Sequence, residues 1–165
     1  MSSELAAWIA ELASKDDTKR ASAAESIARL GTDARPAAVA LVQAMGKADA
    51  PTREWCAAAL EEIGPPSTTD IKELASLACN KSSDVAYWAI TLLGRAGSDA
   101  APAVPALAEA LGKSAPLTVR ERAAWALGKL GPTAKAAAPA LRDAAASKEA
   151  RLARLATDAL QSIGA

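Results

Sequence analysis

The 165-residue chain contains no histidine and no phenylalanine. Without histidine it lacks the commonest general base and the commonest transition-metal ligand, so histidine-based acid–base chemistry and His-ligated metal centres are excluded. Two cysteines, Cys56 and Cys79, are too few for a disulfide framework and lack metal-site spacing. Aromatic residues make up 3% of the chain: four tryptophans and one tyrosine. Nineteen basic and nineteen acidic side chains cancel, leaving no global field to attract nucleic acid or an anionic membrane. No run approaches the ~20 apolar residues of a membrane span. The start, Met1-Ser2-Ser3-Glu4, has no basic leader region, and Glu11 breaks the apolar stretch that follows. A soluble, cytoplasmic protein is expected.

What the chain has instead is alanine, 46 residues of it, with 18 leucines. Alanine has the highest helix propensity and little side-chain entropy to lose, whereas strands favour β-branched and aromatic residues. An all-α protein is expected. The cancelled charge is unevenly spread: residues 1–64 carry 7 basic and 10 acidic groups, residues 65–110 carry 3 and 5, and residues 111–165 carry 9 and 4.

The sequence also repeats. Gly31-Thr32-Asp33-Ala34-Arg35-Pro36-Ala37 matches Gly97-Ser98-Asp99-Ala100-Ala101-Pro102-Ala103, and glycines recur at 31, 64, 97, 131 and 164. They delimit five units, 1–31, 32–64, 65–97, 98–131 and 132–164, within a single domain spanning residues 1–165. Four residues before each glycine come Ile27, Leu60, Leu93, Leu127 and Leu160; eight before come Ala23, Cys56, Ala89, Ala123 and Ala156. These steps share one face of a helix. Ten residues after the first four glycines lies a second apolar register, Leu41, Leu74, Leu107 and Leu141; carried back one period, it lands on Trp8. Each unit therefore reads as two antiparallel helices, with its glycine as a left-handed stop. Pro36, Pro51 and Pro102 fall near helix starts, and Pro105 and Pro139 in first turns, where the missing N–H is not needed. A lone hairpin cannot cover its apolar stripe. Stacked hairpins can, which predicts an α-solenoid, a right-handed superhelix of about five hairpins.

These residues resemble the HEAT-repeat family, in particular its short bacterial type named after phycobilisome lyases. The family has an acid at the inter-helix turn and Val-Arg opening the second helix. Asp16 with Arg20 and Asp49 with Arg53 keep the acid and arginine, and Val119-Arg120 keeps the valine and arginine with Pro116 in place of the acid. Val85-Ala86 and Leu152-Ala153 lack the arginine, so the polar ladder between repeats is expected to be incomplete in units three to five. The resemblance implies that second helices line a concave face. It also brings relatives that are enzymes or enzyme subunits: a di-iron hydroxylase, excluded here by the missing histidines; bilin lyase subunits; and DNA alkylation-repair glycosylases.

Candidate binding residues follow from the resemblance and the register. Positions nine, six and two before each glycine share a strip of the second helix away from the core. This strip holds Trp55, Trp88, Trp125, Arg122, Arg95 and Lys129, with Tyr87 beside Trp88. Trp55 and Trp88, one period apart, are expected on neighbouring helices roughly 10 Å apart. They are either exposed anchors of a groove or side chains packed over their neighbours' alanines. Trp8 and Cys56 fall in core registers. Asp158 is the concave-register acid near the basic third, the residue a glycosylase-like reading would need. The expectation is a non-enzymatic interaction scaffold or adaptor that holds a protein or peptide, with no cofactor or metal and no nucleic-acid or membrane partner. Leu152, Leu155 and the alanines of the last unit make an uncapped end, and with it a homodimer, a further expectation.

Overall fold

The structure, a computed structural model, describes residues 3–165 and shows α-helices and 3-10 segments with no strand among them. Ten α-helices form five hairpins. Their contacts cluster into two compact units that divide after Ser67. The division follows Pro65-Pro66, consecutive residues that cannot donate to a helix.

The first unit holds two hairpins: α1 (Ser3–Glu11) with α2 (Asp17–Ala28), and α3 (Ala38–Ala44) with α4 (Ala50–Glu62). The second holds three: α5 (Ile71–Leu77) with α6 (Ser83–Ala96), α7 (Val104–Ala110) with α8 (Leu117–Leu130), and α9 (Ala138–Ala145) with α10 (Ala150–Ile163). Within each unit successive second helices pack side by side, α2 on α4 in the first and α6 on α8 on α10 in the second. This is the solenoid type of helical repeat.

First helices are shorter than the sequence pattern alone implies, because a 3-10 segment precedes four of them: Thr68–Asp70 before α5, and the longer Gly31–Ala37, Gly97–Ala103 and Gly131–Ala137 before α3, α7 and α9. Their alanines explain the winding. Ala34 and Ala37, Ala100 and Ala103, and Ala134 and Ala137 are all buried and three residues apart. A helix with three residues per turn stacks such positions on one face. Pro36 and Pro102 lie inside these segments, and Pro51, Pro105 and Pro139 open α-helices as expected.

The delimiting glycines all have positive φ. They are not all left-handed caps, however. Gly164 is (φ 71°, ψ 44°), and the N–H groups of Ala165 and Gly164 donate to the carbonyls of Leu160 and Gln161, closing a Schellman motif. Gly97, at φ 59° and ψ −133°, instead takes a conformation open essentially to glycine alone, turning the chain from α6 into a 3-10 segment.

The core follows the two apolar registers. Ile27, Leu60, Leu93 and Leu127 are fully buried, as are Leu41, Leu74, Leu107 and Leu141; the register eight before each glycine is buried in all five units. Two positions depart. Leu160 is half-buried on α10, which packs on α8 and α9, and Leu152 and Ile163 are buried there instead. The buried residues here are Leu5 in α1 and Leu12 just after it, with Trp8 half-buried between them, because the register carried back one period misses the apolar stripe of this short helix.

The acid–arginine pairs of the first unit are structural. Asp16 caps α2, accepting from the N–H groups of Thr18 (2.9 Å) and Lys19 (3.2 Å). Arg20 pairs with Asp17, reaches Asp49 at 3.6 Å, and donates to the Ser14 carbonyl at 2.8 Å. Arg53 donates to the Ala48 carbonyl at 2.9 Å. In the second unit Arg120, without a turn acid before it, still donates to the Leu111 carbonyl at 3.1 Å. The arginine at this register thus ties its helix to the end of the preceding one, whether or not the acid is present.

Candidate functional site

Three second helices of the second unit, α6, α8 and α10, carry the strip that the register singles out. Arg122 sits one turn before Trp125 on α8, and Tyr87 faces both from α6. The Arg122 guanidinium carbon lies 4.3 Å from the centre of the Tyr87 ring and 5.0 Å from that of Trp125. A guanidinium over an aromatic face is attracted by the ring quadrupole. Arg122 also donates from Nη2 to the Tyr87 hydroxyl. Lys129, one turn beyond Trp125, holds Nζ 6.0 Å from the same indole.

Trp125 is fixed from behind by a glycine. A Cβ built on Gly94 of α6 would stand 2.4 Å from Cζ3 of the indole, so the ring occupies the space where any other residue would place its side chain. A similar close approach joins α8 to α10, where a Cβ on Gly128 would meet the Ala159 Cα at 3.3 Å. Small residues at these crossings let the helices approach and decide where the large rings can lie.

The cluster borders a cleft of about 240 Å³. Tyr87, Arg122 and Trp125 line it together with four residues outside the expected set: Thr118, Glu121, Arg151 and Leu155. Glu121 and Arg151 pair across the helices at 3.4 Å, with 13% and 70% of their side chains exposed. Burial, and next to it the like charge of Arg151, pull the Arg122 pKa below its ordinary value. Among the described residues no carboxylate pairs with Arg122. Thr118 and Arg151 lie one turn before the nine-residue register; extending the strip four residues toward the helix starts would have found them.

The other expected residues separate. Trp55 is on α4 of the first unit and is 37% exposed. Trp88 does not fit the role of exposed anchor: it is buried at 9% exposure, its ring edge-to-face with Tyr87 at 5.6 Å and 88°. The strip of α6 is covered at this level, since Thr91, the next strip position, is buried as well. Arg95 is half-buried and Lys129 exposed. Asp158 is exposed and its side chain does not line the cleft. Leu152 is buried and Leu155 half-buried, while Arg151, Arg154, Asp158 and Gln161 are exposed on α10, so neither leucine gives this helix the bare apolar face expected of an uncapped end.

The thiols carry no activated chemistry. Burial, and secondarily Asp49, push Cys56 up to about 12, far from a thiolate at neutral pH. Cys79 is raised as well, by burial first and then by Glu109, and its thiol donates weakly to the Ala106 carbonyl at 3.6 Å. Among the described residues no three Cys, Asp or Glu side chains converge as a metal site, and no helix is long and apolar enough to cross a membrane.

Comparison with known proteins agrees with this architecture. No curated protein sequence matches the chain. Among solved structures, the complex of CpcE and CpcF of phycocyanin lyase from Nostoc is similar with a TM-score of 0.67 at 22% identity, over 96% of this chain and 64% of that one. A designed armadillo repeat protein in complex with the peptide (KR)4 gives 0.66 at 17% identity, over 96% and 81%. An engineered protein gives 0.64 at 21% identity, over 98% and 80%. At these identities the likeness is one of fold. Residues 71–161, more than half of the chain, match the family of HEAT repeats, and the chain belongs to that family.

Proposed function

We propose that this protein is a non-enzymatic scaffold in which the second-helix face of the second unit holds a peptide segment of a protein partner, with Tyr87, Arg95, Arg122, Trp125 and Lys129 as contact residues; Trp55 is a separate contact residue on the first unit. The observation that carries this reading is the aromatic–arginine cluster beside an open cleft. Tyrosine, tryptophan and arginine are the side chains that most often dominate binding energy at protein interfaces, and here they converge on one face. The roughly 240 Å³ of the cleft accommodates one or two side chains rather than a large cofactor. Two of the structurally similar proteins are solved as complexes, one with a peptide and one with a second chain. That supports a partner-holding role.

Selection of displayed random peptides against the immobilised protein tests the reading. The expected outcome is an enriched set of peptides whose binding falls at least tenfold in Trp125→Ala, with folding of the variant checked by circular dichroism. Selection that enriches nothing, or peptides indifferent to Trp125, would overturn it.

A further inference from the structure

The charges around the cleft specify more than a generic partner. Arg122 is half-buried between two rings, has lost part of its hydration, and has no carboxylate partner among the described residues. A cation in that state is costly unless an anion meets it. The other charged residues lining the cleft are Arg151, a second cation, and Glu121, which approaches Nε of Arg151. Within the lining Glu121 offsets one of the two arginines, leaving a charge of about one positive unit. That balance matches a single carboxylate. A dianionic phosphate would bring a second negative charge against Glu121.

We infer that the cleft between α6, α8 and α10 binds an aspartate or glutamate side chain of an acidic partner segment, the carboxylate seated on Arg122 and Arg151 and an adjacent apolar residue resting on Trp125 and Leu155. This deepens the scaffold reading and rests on it. Arg122 already gives one N–H to the Tyr87 hydroxyl, which orients its fork, and guanidinium groups recognise carboxylates through paired, charge-assisted hydrogen bonds. The surroundings favour a segment with several acids over a lone terminal carboxylate. Residues 111–165, which supply α8 and α10, carry 9 basic and 4 acidic groups, and such an excess speeds the encounter with an acidic chain.

The test uses an acetylated, amidated octapeptide of alternating glutamate and leucine, fluorescently labelled, with binding read by anisotropy at low salt. Its glutamine counterpart, a glutamine version with a free C-terminus, and a phosphoserine version are run beside it. The glutamate peptide is expected to bind about tenfold or more tightly than the amidated glutamine peptide. It should also bind more tightly than the other two, weaken as salt is raised, and lose several-fold in Arg151→Gln. Arg151 is largely exposed, so this variant leaves the packing intact, and Arg122→Lys should lose affinity while keeping the charge. Equal binding of glutamate and glutamine peptides, an unchanged affinity in Arg151→Gln, or preference for the free terminus or the phosphoserine would overturn the inference. If display selection still yields neutral peptides that depend on Trp125, the scaffold reading survives that failure; if it yields nothing, both fall.

Discussion

The two compact units are built from the same hairpin but use their arginines differently. In the first, Arg20 and Arg53 are spent on structure: each donates to a carbonyl at the end of the preceding helix or turn, and Arg20 also meets Asp17 and Asp49. In the second, Arg120 keeps that structural bond, while Arg122, two residues on, lies between Tyr87 and Trp125 with no acidic partner among the described residues. The aromatic residues divide the same way. Trp55 in the first unit stands at the surface, while Trp125 in the second is seated against Gly94. A register position therefore fixes which way a side chain leaves the helix, and the neighbour it meets fixes whether it stabilises the stack or remains available to a partner.

The strongest test of the shared construction is at its core. Leu60 and Leu127 hold the same register in the two units, and both are fully buried. Leu60→Ala and Leu127→Ala should each cost about 2–5 kcal/mol, the range for emptying a well-packed leucine site, read from denaturant midpoints. A pronounced inequality would mean that the two units do not pack their repeats alike.

Next in size is the glycine–indole contact of the second unit. Gly94→Ala sets a methyl group against the Trp125 indole, and overpacking of that kind costs about 1–3 kcal/mol. The penalty should shrink when Trp125→Ala is added, because the double variant removes the obstructing ring. The checking measurement is a double-mutant cycle by chemical denaturation, with Trp125 fluorescence reporting the displacement. Additive costs would show that the indole can move aside freely.

Most of the scaffold was legible from the glycine period and the two apolar registers, because burial in a repeat stack imposes the same demand on every unit. The 3-10 lead-ins were less so. Their signal is the three-residue spacing of Ala34 and Ala37, which looks helical of either kind until the glycine fixes where winding starts. The site was only half legible. Register placed Trp88 outward along with Arg122, but on α6 that strip is covered, and both Trp88 and Thr91 are buried. Arg151 and Glu121 escaped notice because their pairing joins two repeats, and a pattern read along one helix at a time does not contain such a contact.

The acid–base balance of the first unit gives a third contrast. The Thr52 hydroxyl, donating to Oδ1, is the chief cause holding the Asp49 carboxyl below its ordinary range, with a smaller contribution from Arg20. A carboxyl whose folded pKa is lowered contributes stability above its unfolded value, near 3.8, and loses it as pH falls through the folded value. Thr52→Val removes the main cause. The variant should be less stable than the parent at neutral pH, and the gap should narrow as pH drops below 3.8. Carboxyl NMR titration should find Asp49 at a higher pKa in the variant. A gap that stays constant with pH would assign the cost of the substitution to packing around the buried Thr52 instead.

The smallest effect is expected at Trp55. With 37% of its surface exposed, its removal opens to solvent rather than leaving a sealed cavity, and the cost should stay near or below about 1 kcal/mol. Trp55→Ser should therefore shift the denaturation midpoint only slightly, while removing one of the two tryptophan signals of the first unit and leaving that of Trp8. Stability and binding separate cleanly at this residue: a Trp55 that belongs to a partner surface loses affinity on substitution and nothing else. If Trp55→Ser destabilised the protein as much as Gly94→Ala, the indole would be packing its own unit, and the contrast between a surface tryptophan in the first unit and a clamped one in the second would disappear.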